Sequence, residues 1–274
     1  MSKVFFLTGS AVGLGRSIAE AVLKDGHRVV ATALDPEKLD DLVTAYGDRI
    51  LPLKLDVTNF STAQEVMRRG IEAFGRIDVV INNAGFSNSA SIEDMPLTSI
   101  EAQVNTNFLG VVKVTKAALP FLREQAQGHI IQISSIGDRT ARPGSAVYFA
   151  SKWAIAGFSE CLAQEVAPLG IKVTIIEANM MRTQFFAQSV SFPSHPAYDN
   201  TVGSTIRMKK SPEFLAKLGD PEKVVKVILK VSELPDPPLR LLVGADAFRR
   251  GKDADAKRAK EDDKWQWLGA LADS

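Results

Sequence analysis

The 274-residue sequence predicts an α/β fold, a doubly wound parallel sheet of about seven strands with helices on both faces. Two observations predict it. Short β-rich runs take turns with longer segments of helical period along most of the chain, the pattern of parallel strands joined by right-handed crossover helices. A glycine turn, "TGSAVGLG" at 8–15, stands between the first strand and the first helix, at the sheet edge where open α/β folds bind ligands.

The elements follow in order. The apolar run Val4-Phe5-Phe6-Leu7 marks a strand at 4–8, and the helix at 14–25 ends at Gly26, a C-cap. After a strand at 28–32, Asp35-Pro36 opens a helix at 37–46, since proline suits a first helical turn. Strands at 50–55 and 78–81 bracket a helix at 60–74. A long helix at 98–125 leads to a strand at 129–134, and the helix at 147–168 stops at Gly170 before the strand "IKVTIIE" at 171–177. A helix at 221–233 and a strand at 239–243 complete the sheet. Residues 182–220, with Pro193, Pro196 and Pro212, break the rhythm and read as a loop that covers a substrate. Residues 245–274 read as a charged helical tail, and the whole span 1–274 as one domain.

Composition narrows the function classes. Hydrophobic residues make up 45% and charged residues 24%, which excludes disordered and fibrous chains. The net charge is +1 with Lys and Arg scattered, so neither nucleic acid nor a membrane surface is an expected partner. The cluster Arg249, Arg250 and Lys252 is matched by nearby acids and reads as a solvated helix face. No apolar run approaches the roughly 18–20 residues that cross a bilayer. A lone Cys161, read as helix packing, and the lack of a charged-then-apolar leader before Lys3 point to the cytoplasm. His27, His129 and His195 lie far apart, so no metal site is expected.

Three motifs carry chemistry. Gly9, Gly13 and Gly15 allow a tight turn and close backbone approach, and the helix start behind them offers free N–H groups to a pyrophosphate. "NNAG" at 82–85 follows the strand "IDVVI", where small residues suit a crevice. "YFASK" sets Tyr148 and Lys152 four residues apart on one helix face, with Ser135 thirteen residues upstream. A phenol titrates near about 10, and a neighbouring ammonium lowers that value, making Tyr148 a usable acid or base. Ser135 can then donate a hydrogen bond to a carbonyl oxygen that gains charge.

Taken in order, T-G-x-x-x-G-x-G at 8–15, Asp56-Val57, N-N-A-G at 82–85, Asn107 in "NTNFLG", Ser135 and Y-x-x-x-K at 148–152 resemble the short-chain dehydrogenase/reductase family. The resemblance implies a Rossmann-like fold and an oxidoreductase that moves hydride between NAD(H) or NADP(H) and a ketone or secondary alcohol. Tyr148 would be the general acid or base, Lys152 would bind the nicotinamide ribose and tune the phenol, Ser135 would fix the substrate oxygen, and Asn107 would hold a water in the proton path. The dinucleotide would meet Thr8, Gly9, Gly13, Leu14, Gly15, Leu34, Asp56, Val57, Asn83, Ala84, Gly85, Tyr148, Lys152 and Thr183. The partners implied are a small carbonyl or alcohol substrate and further copies of the chain, as a homodimer or homotetramer built on the helices at 98–125 and 147–168.

The sequence also departs from that family. Val12 and Leu34 stand where NADP-preferring relatives carry cations, and Ala33 where NAD-preferring ones carry an acid, with Asp35 two places on. Loss of two cations leans the reading to NAD(H), with Arg28 and Lys38 as the remaining sources of charge. Ala178-Asn179 replaces a Pro-Gly pair, and Asn is expected to keep the turn through its tolerance of left-handed angles. Phe86, Ile136, Met180, Met181, Phe185 and Phe186 are expected to line an apolar or aromatic substrate pocket. The competing readings are a non-catalytic dinucleotide-sensing protein on the same fold, for which a proton relay has no use, and an epimerase or dehydratase, which carries a larger C-terminal part.

Overall fold

The computed structural model describes residues 2–187 and 189–273; at 186 and 187 it describes the backbone alone. Seven parallel strands form one sheet in the order β3-β2-β1-β4-β5-β6-β7: β1 Val4–Thr8, β2 Arg28–Ala33, β3 Ile50–Lys54, β4 Val79–Asn82, β5 Gly128–Ile133, β6 Ile171–Ala178 and β7 Arg240–Val243. The strand order reverses between β1 and β4. That switch opens a crevice at the carboxyl edge of the sheet.

Strand periodicity divides the core in two. Phe5, Leu7, Val29, Ala31 and Ile81 face α1 (Gly13–Lys24), α2 (Asp40–Tyr46) and, further along the chain, the helix Pro221–Glu233. Val4, Phe6, Val30, Val80 and Ile130 face α3 (Phe60–Phe74) and two long helices of the middle of the chain. Burial on both faces is why these strands read as continuous apolar runs rather than alternating ones.

The long helix expected at 98–125 is divided. It runs as α4 (Leu97–Val104), a π-helical turn Asn105–Leu109, and α5 (Gly110–Glu124). α6 (Ala146–Val166) follows β5, and Cys161 falls on its solvent side, exposed, where the sequence suggested packing. The span 182–220 contains short helical pieces: α7 (Gln184–Ala187), a turn at Pro196–Tyr198, a π-helical turn Asp199–Gly203, α8 (Ser204–Lys210) and α9 (Pro212–Ala216). α10 (Pro221–Glu233) and β7 come next, followed by α11 (Ala245–Gly269) and a final helical turn at Ala270–Asp273. No helix among the described residues is long and apolar enough to cross a membrane.

Candidate active site

A cavity of about 560 Å³ lies across the carboxyl ends of the strands. The β1–α1 turn forms one wall, and its backbone is shaped for contact. Gly9 and Gly13 take φ of 67° and 58°, and a Cβ on Gly15 would collide with the Gly9 carbonyl and stand 2.5 Å from Asn83 Nδ2. α1 begins with Val12, which has no capping side chain, and its first turn holds no acid. Its free N–H groups and positive dipole end therefore face the cavity unneutralised. Val12 thus leaves the helix end to an outside anion, and the glycine cradle fits the pyrophosphate of a dinucleotide.

Thr8 lies behind this wall rather than in it. Its Oγ1 accepts from the N–H groups of Asn83 at 2.9 Å and Ala84 at 3.0 Å, and Asn83 Nδ2 donates to Thr8 O at 2.9 Å and Gly9 O at 3.1 Å. The two loops that flank the switch point are stapled together. Gly85, Phe86, Asp56, Val57, Leu14 and Leu34 line the same cavity, and Asp56 Oδ1 is occupied by Thr58 N and Oγ1 at 2.9 and 2.7 Å. Thr183 closes the far side, 3.6 Å from where a Cβ on Gly13 would be.

Beyond the end of β2, Ala33, Leu34, Asp35 and Lys38 line the cavity, with Lys38 Nζ 3.6 Å from the Asp35 carboxylate. Arg28 is not among the lining residues. It starts β2, at the opposite edge of the sheet, and its guanidinium lies 5.3 Å over the Phe74 ring.

Ser135, Tyr148 and Lys152 meet at the other end. Ser135 Oγ accepts from Gly137 N at 3.1 Å, which leaves its own hydrogen to donate. Burial pushes the Tyr148 phenol up to about 12, against the opposing effect of its hydrogen bond with Ser135. Burial likewise brings Lys152 down to about 8, with the Asp138 carboxylate opposing it. The ammonium donates to Ile133 O at 2.8 Å and sits 5.6 Å from the Tyr148 ring centroid. In this arrangement burial outweighs the lowering of the phenol that the Tyr–Lys spacing suggests.

Asn107 is buried in the π-helical turn behind the cavity. Its Oδ1 accepts from Phe86 N at 3.0 Å and its Nδ2 donates to Phe86 O at 2.8 Å, so both ends of the amide hold the loop after β4. Beneath Ser135, Ser134 Oγ donates to Asp138 at 2.7 Å. Burial, reinforced by the Glu177 charge, pushes Asp138 up to about 7. Glu177 is itself fully buried between Arg139 and Arg240, at 2.7 Å from Arg139 Nε.

Ile136, Met180, Met181 and Phe185 line the cavity as well, and Phe185 lies 5.9 Å from Tyr148 ring to ring. The Phe186 side chain lies outside the described residues. Asn179 does not adopt a left-handed angle; among the described residues Ala126 is the one non-glycine with positive φ. Asn179 instead anchors α11, donating to Asp246 at 2.8 Å and accepting from Arg250 at 3.3 Å. Arg250 therefore reaches the cavity and is not part of a purely solvated face. Sequence reasoning also passed over Arg142, Ser145, Phe149 and Lys209, which line the same cavity. The available signal was position: these residues lie in the stretches that leave the carboxyl ends of β5 and β6.

Residues 3–193 match the model of the family described as short chain dehydrogenase. This chain belongs to that family. It is 46% identical over 272 residues to oxidoreductase BOA17 of Botryotinia fuckeliana (strain B05.10), covering 98% of each chain. The crystal structure of a short-chain dehydrogenase from Streptomyces avermitilis superposes with a TM-score of 0.91 at 34% identity over 100% of both chains. The closed form of serine dehydrogenase complexed with NADP+ gives 0.75 at 27% identity, covering 87% of this chain and 93% of that one. The protein is accordingly an NAD(P)-dependent oxidoreductase with the seven-stranded fold of the short chain dehydrogenases.

Proposed function

We propose that the protein reduces a ketone, or in reverse oxidises a secondary alcohol, with Tyr148 as the general acid or base. The observation that carries this reading is that Ser135, Tyr148 and Lys152 line one end of the cavity whose other end is the glycine cradle. When bound, the dinucleotide supplies or accepts the hydride. Ser135 donates a hydrogen bond to the carbonyl oxygen as it gains charge, and Tyr148 delivers the proton. At neutral pH a phenol held up at about 12 is protonated, the form that serves reduction. Lys152 keeps a positive charge against the ring and orients the nicotinamide ribose, and Asn107 fixes the loop that bears Gly85 and Phe86.

For the cofactor, the end of the cavity beside β2 offers Asp35 to ribose hydroxyls and one cation, Lys38, to a 2′-phosphate. Lys38 is already paired with Asp35, and positions 12 and 34 are apolar. The reading leans to NAD(H), although the serine dehydrogenase relative was solved with NADP+. The exposed Leu97, Leu109 and Trp153 on the α4–α5 and α6 helices support a homodimer or homotetramer through those elements. The lone cysteine supports a cytoplasmic setting, and the segment 182–220 serves as the cover of the substrate end.

The test is Tyr148→Phe. Turnover of ketones falls by about 10²–10⁴, while the dissociation constant for the reduced dinucleotide, read by fluorescence titration, stays within the error of the wild type. Substantial remaining turnover would remove Tyr148 from the role of acid.

A further inference from the structure

Besides Lys152, three cations stand at the Tyr148 end of the cavity: Arg142, Lys209 and Arg250. They come from the loop before α6, from α8 and from α11, so no single amphipathic pattern accounts for their meeting. Lys209 Nζ donates to Ser145 Oγ at 2.9 Å and Ser89 Oγ at 3.2 Å, two hydroxyls that leave its charge uncompensated. Arg142 has no hydrogen bond or ion pair among the described residues. Arg250 meets Asn179 Oδ1 at 3.3 Å and the Asp246 carboxylate at 3.8 Å. Asp246 is the acid that offsets this group, and it already serves Arg249 at 2.6 Å and Asn179 at 2.8 Å.

The cations also act on one another. Lys209 is held down at about 8 by burial and by the Arg142 charge, and Arg142 is lowered by burial and by Arg250, with the Asp246 carboxylate opposing. Gathering like charges in a partly desolvated cleft is unfavourable unless an anion joins them. The pyrophosphate has its own cradle at α1, so the anion belongs to the other ligand. Ser145, which holds Lys209, precedes Tyr148 by three residues, about one helical turn (~5 Å). Lys209 is therefore bound about one helical turn from the proton donor, and Arg142 and Arg250 line the same cavity.

Building on the ketone reductase reading, we propose that the substrate is an oxo acid, a carbonyl compound whose carboxylate is held by Arg142, Lys209 and Arg250 while Phe86, Met181 and Phe185 pack its apolar part. Guanidinium and ammonium donors suit a carboxylate and fix its orientation. The reaction balances within the proposed chemistry. Hydride from the reduced dinucleotide adds to the carbonyl carbon, the C=O π electrons pass to oxygen, and Tyr148 supplies the proton to give a hydroxy acid and the oxidised dinucleotide.

Matched pairs test this directly: 4-acetylbenzoate against its methyl ester, and 4-oxopentanoate against its methyl ester, each assayed with NADH and with NADPH. The expected kcat/KM favours the acid in at least one pair by about tenfold or more. Arg142→Gln and Lys209→Gln each lower that acid-to-ester ratio by about tenfold, whereas Arg142→Lys, which keeps the charge, retains most of it. A ratio cancels general damage to the fold. Esters turned over as well as the acids in both pairs, or ratios unmoved by both neutral variants, would overturn the oxo acid proposal and leave the reductase reading standing. No turnover of any acid or ester with either dinucleotide would overturn the reductase reading and this inference with it.

Discussion

The two ends of the cavity are built by different rules. The dinucleotide end is made of backbone: Gly9, Gly13 and Gly15 in one turn, an uncapped α1 behind them, and the loop Asn83–Gly85 stapled on by Thr8. The substrate end is made of side chains gathered from distant parts of the chain, with Tyr148 and Lys152 on α6, Lys209 on α8, Arg250 on α11 and Asn179 after β6. Shape at the first end depends on what is missing at a few adjacent positions. At the second it depends on charges held in place by long-range partners, so the two ends respond to substitution in different ways.

Four expectations sharpen that contrast. The largest concerns the support beneath the substrate end. Glu177→Ala leaves Arg139 and Arg240 without their shared buried carboxylate, and is expected to cost about 3–5 kcal/mol in chemical denaturation. A loss below about 1 kcal/mol would mean that Asp255, which Arg139 also meets, and Glu160 and Asp138, which Arg240 also meets, suffice without Glu177.

Lys152 gives the next. Its value falls from 10.5 to about 8 on folding, so the folded state sheds a proton more readily than the unfolded one. The charge-burial cost is complete below pH 8 and fades as pH rises to 10.5, where the ammonium is lost in both states; stability thus rises with pH across that window. The span corresponds to about 3 kcal/mol. Lys209 is lowered over the same window and contributes a like share, so Lys152→Met removes about half of the slope, and equal slopes for variant and wild type in denaturation series at pH 7 to 10.5 would refute the shift.

Gly15→Ala tests the dinucleotide end. The added Cβ pushes on Gly9 O and Asn83 Nδ2, and dinucleotide affinity is expected to fall about 100-fold, or ~2.7 kcal/mol. Unchanged titrations would show that the cradle is not where the pyrophosphate sits. The smallest effect is at Lys38, exposed and shared with Asp35. Lys38→Ala is expected to weaken NADPH relative to NADH by about threefold, below 1 kcal/mol. A tenfold or larger change would make Lys38 the main phosphate contact and reverse the lean to NAD(H).

The same contrast explains what the sequence disclosed. Strand runs such as Val4–Leu7, buried on both faces, and glycines at fixed offsets are local features, so the sheet, its order of elements and the glycine turn after β1 were legible in consecutive residues. Tyr148, Lys152 and Ser135 were legible because a helix face and a strand end fix their separation. Arg142, Lys209 and Arg250 were not. Their convergence depends on how α8 and α11 fold back over the sheet edge, and Arg250 carries the same helix-surface signature as Arg249 and Lys252 beside it. Asn179 shows the limit most clearly, because its residue type suggested backbone conformation while its amide spans the gap to α11.

That amide link makes the last long helix part of the cavity wall. Asn179 leads directly out of β6, so the last long helix is moored to the central sheet at the rim of the cavity, and Arg250 moves with it. If Arg250 holds the substrate as proposed, hydrogen exchange along α11 and the choice of substrate are expected to change together. A fusion or truncation that loosened the helix would change which molecules enter while the grip on the dinucleotide, anchored at the opposite wall, stayed the same.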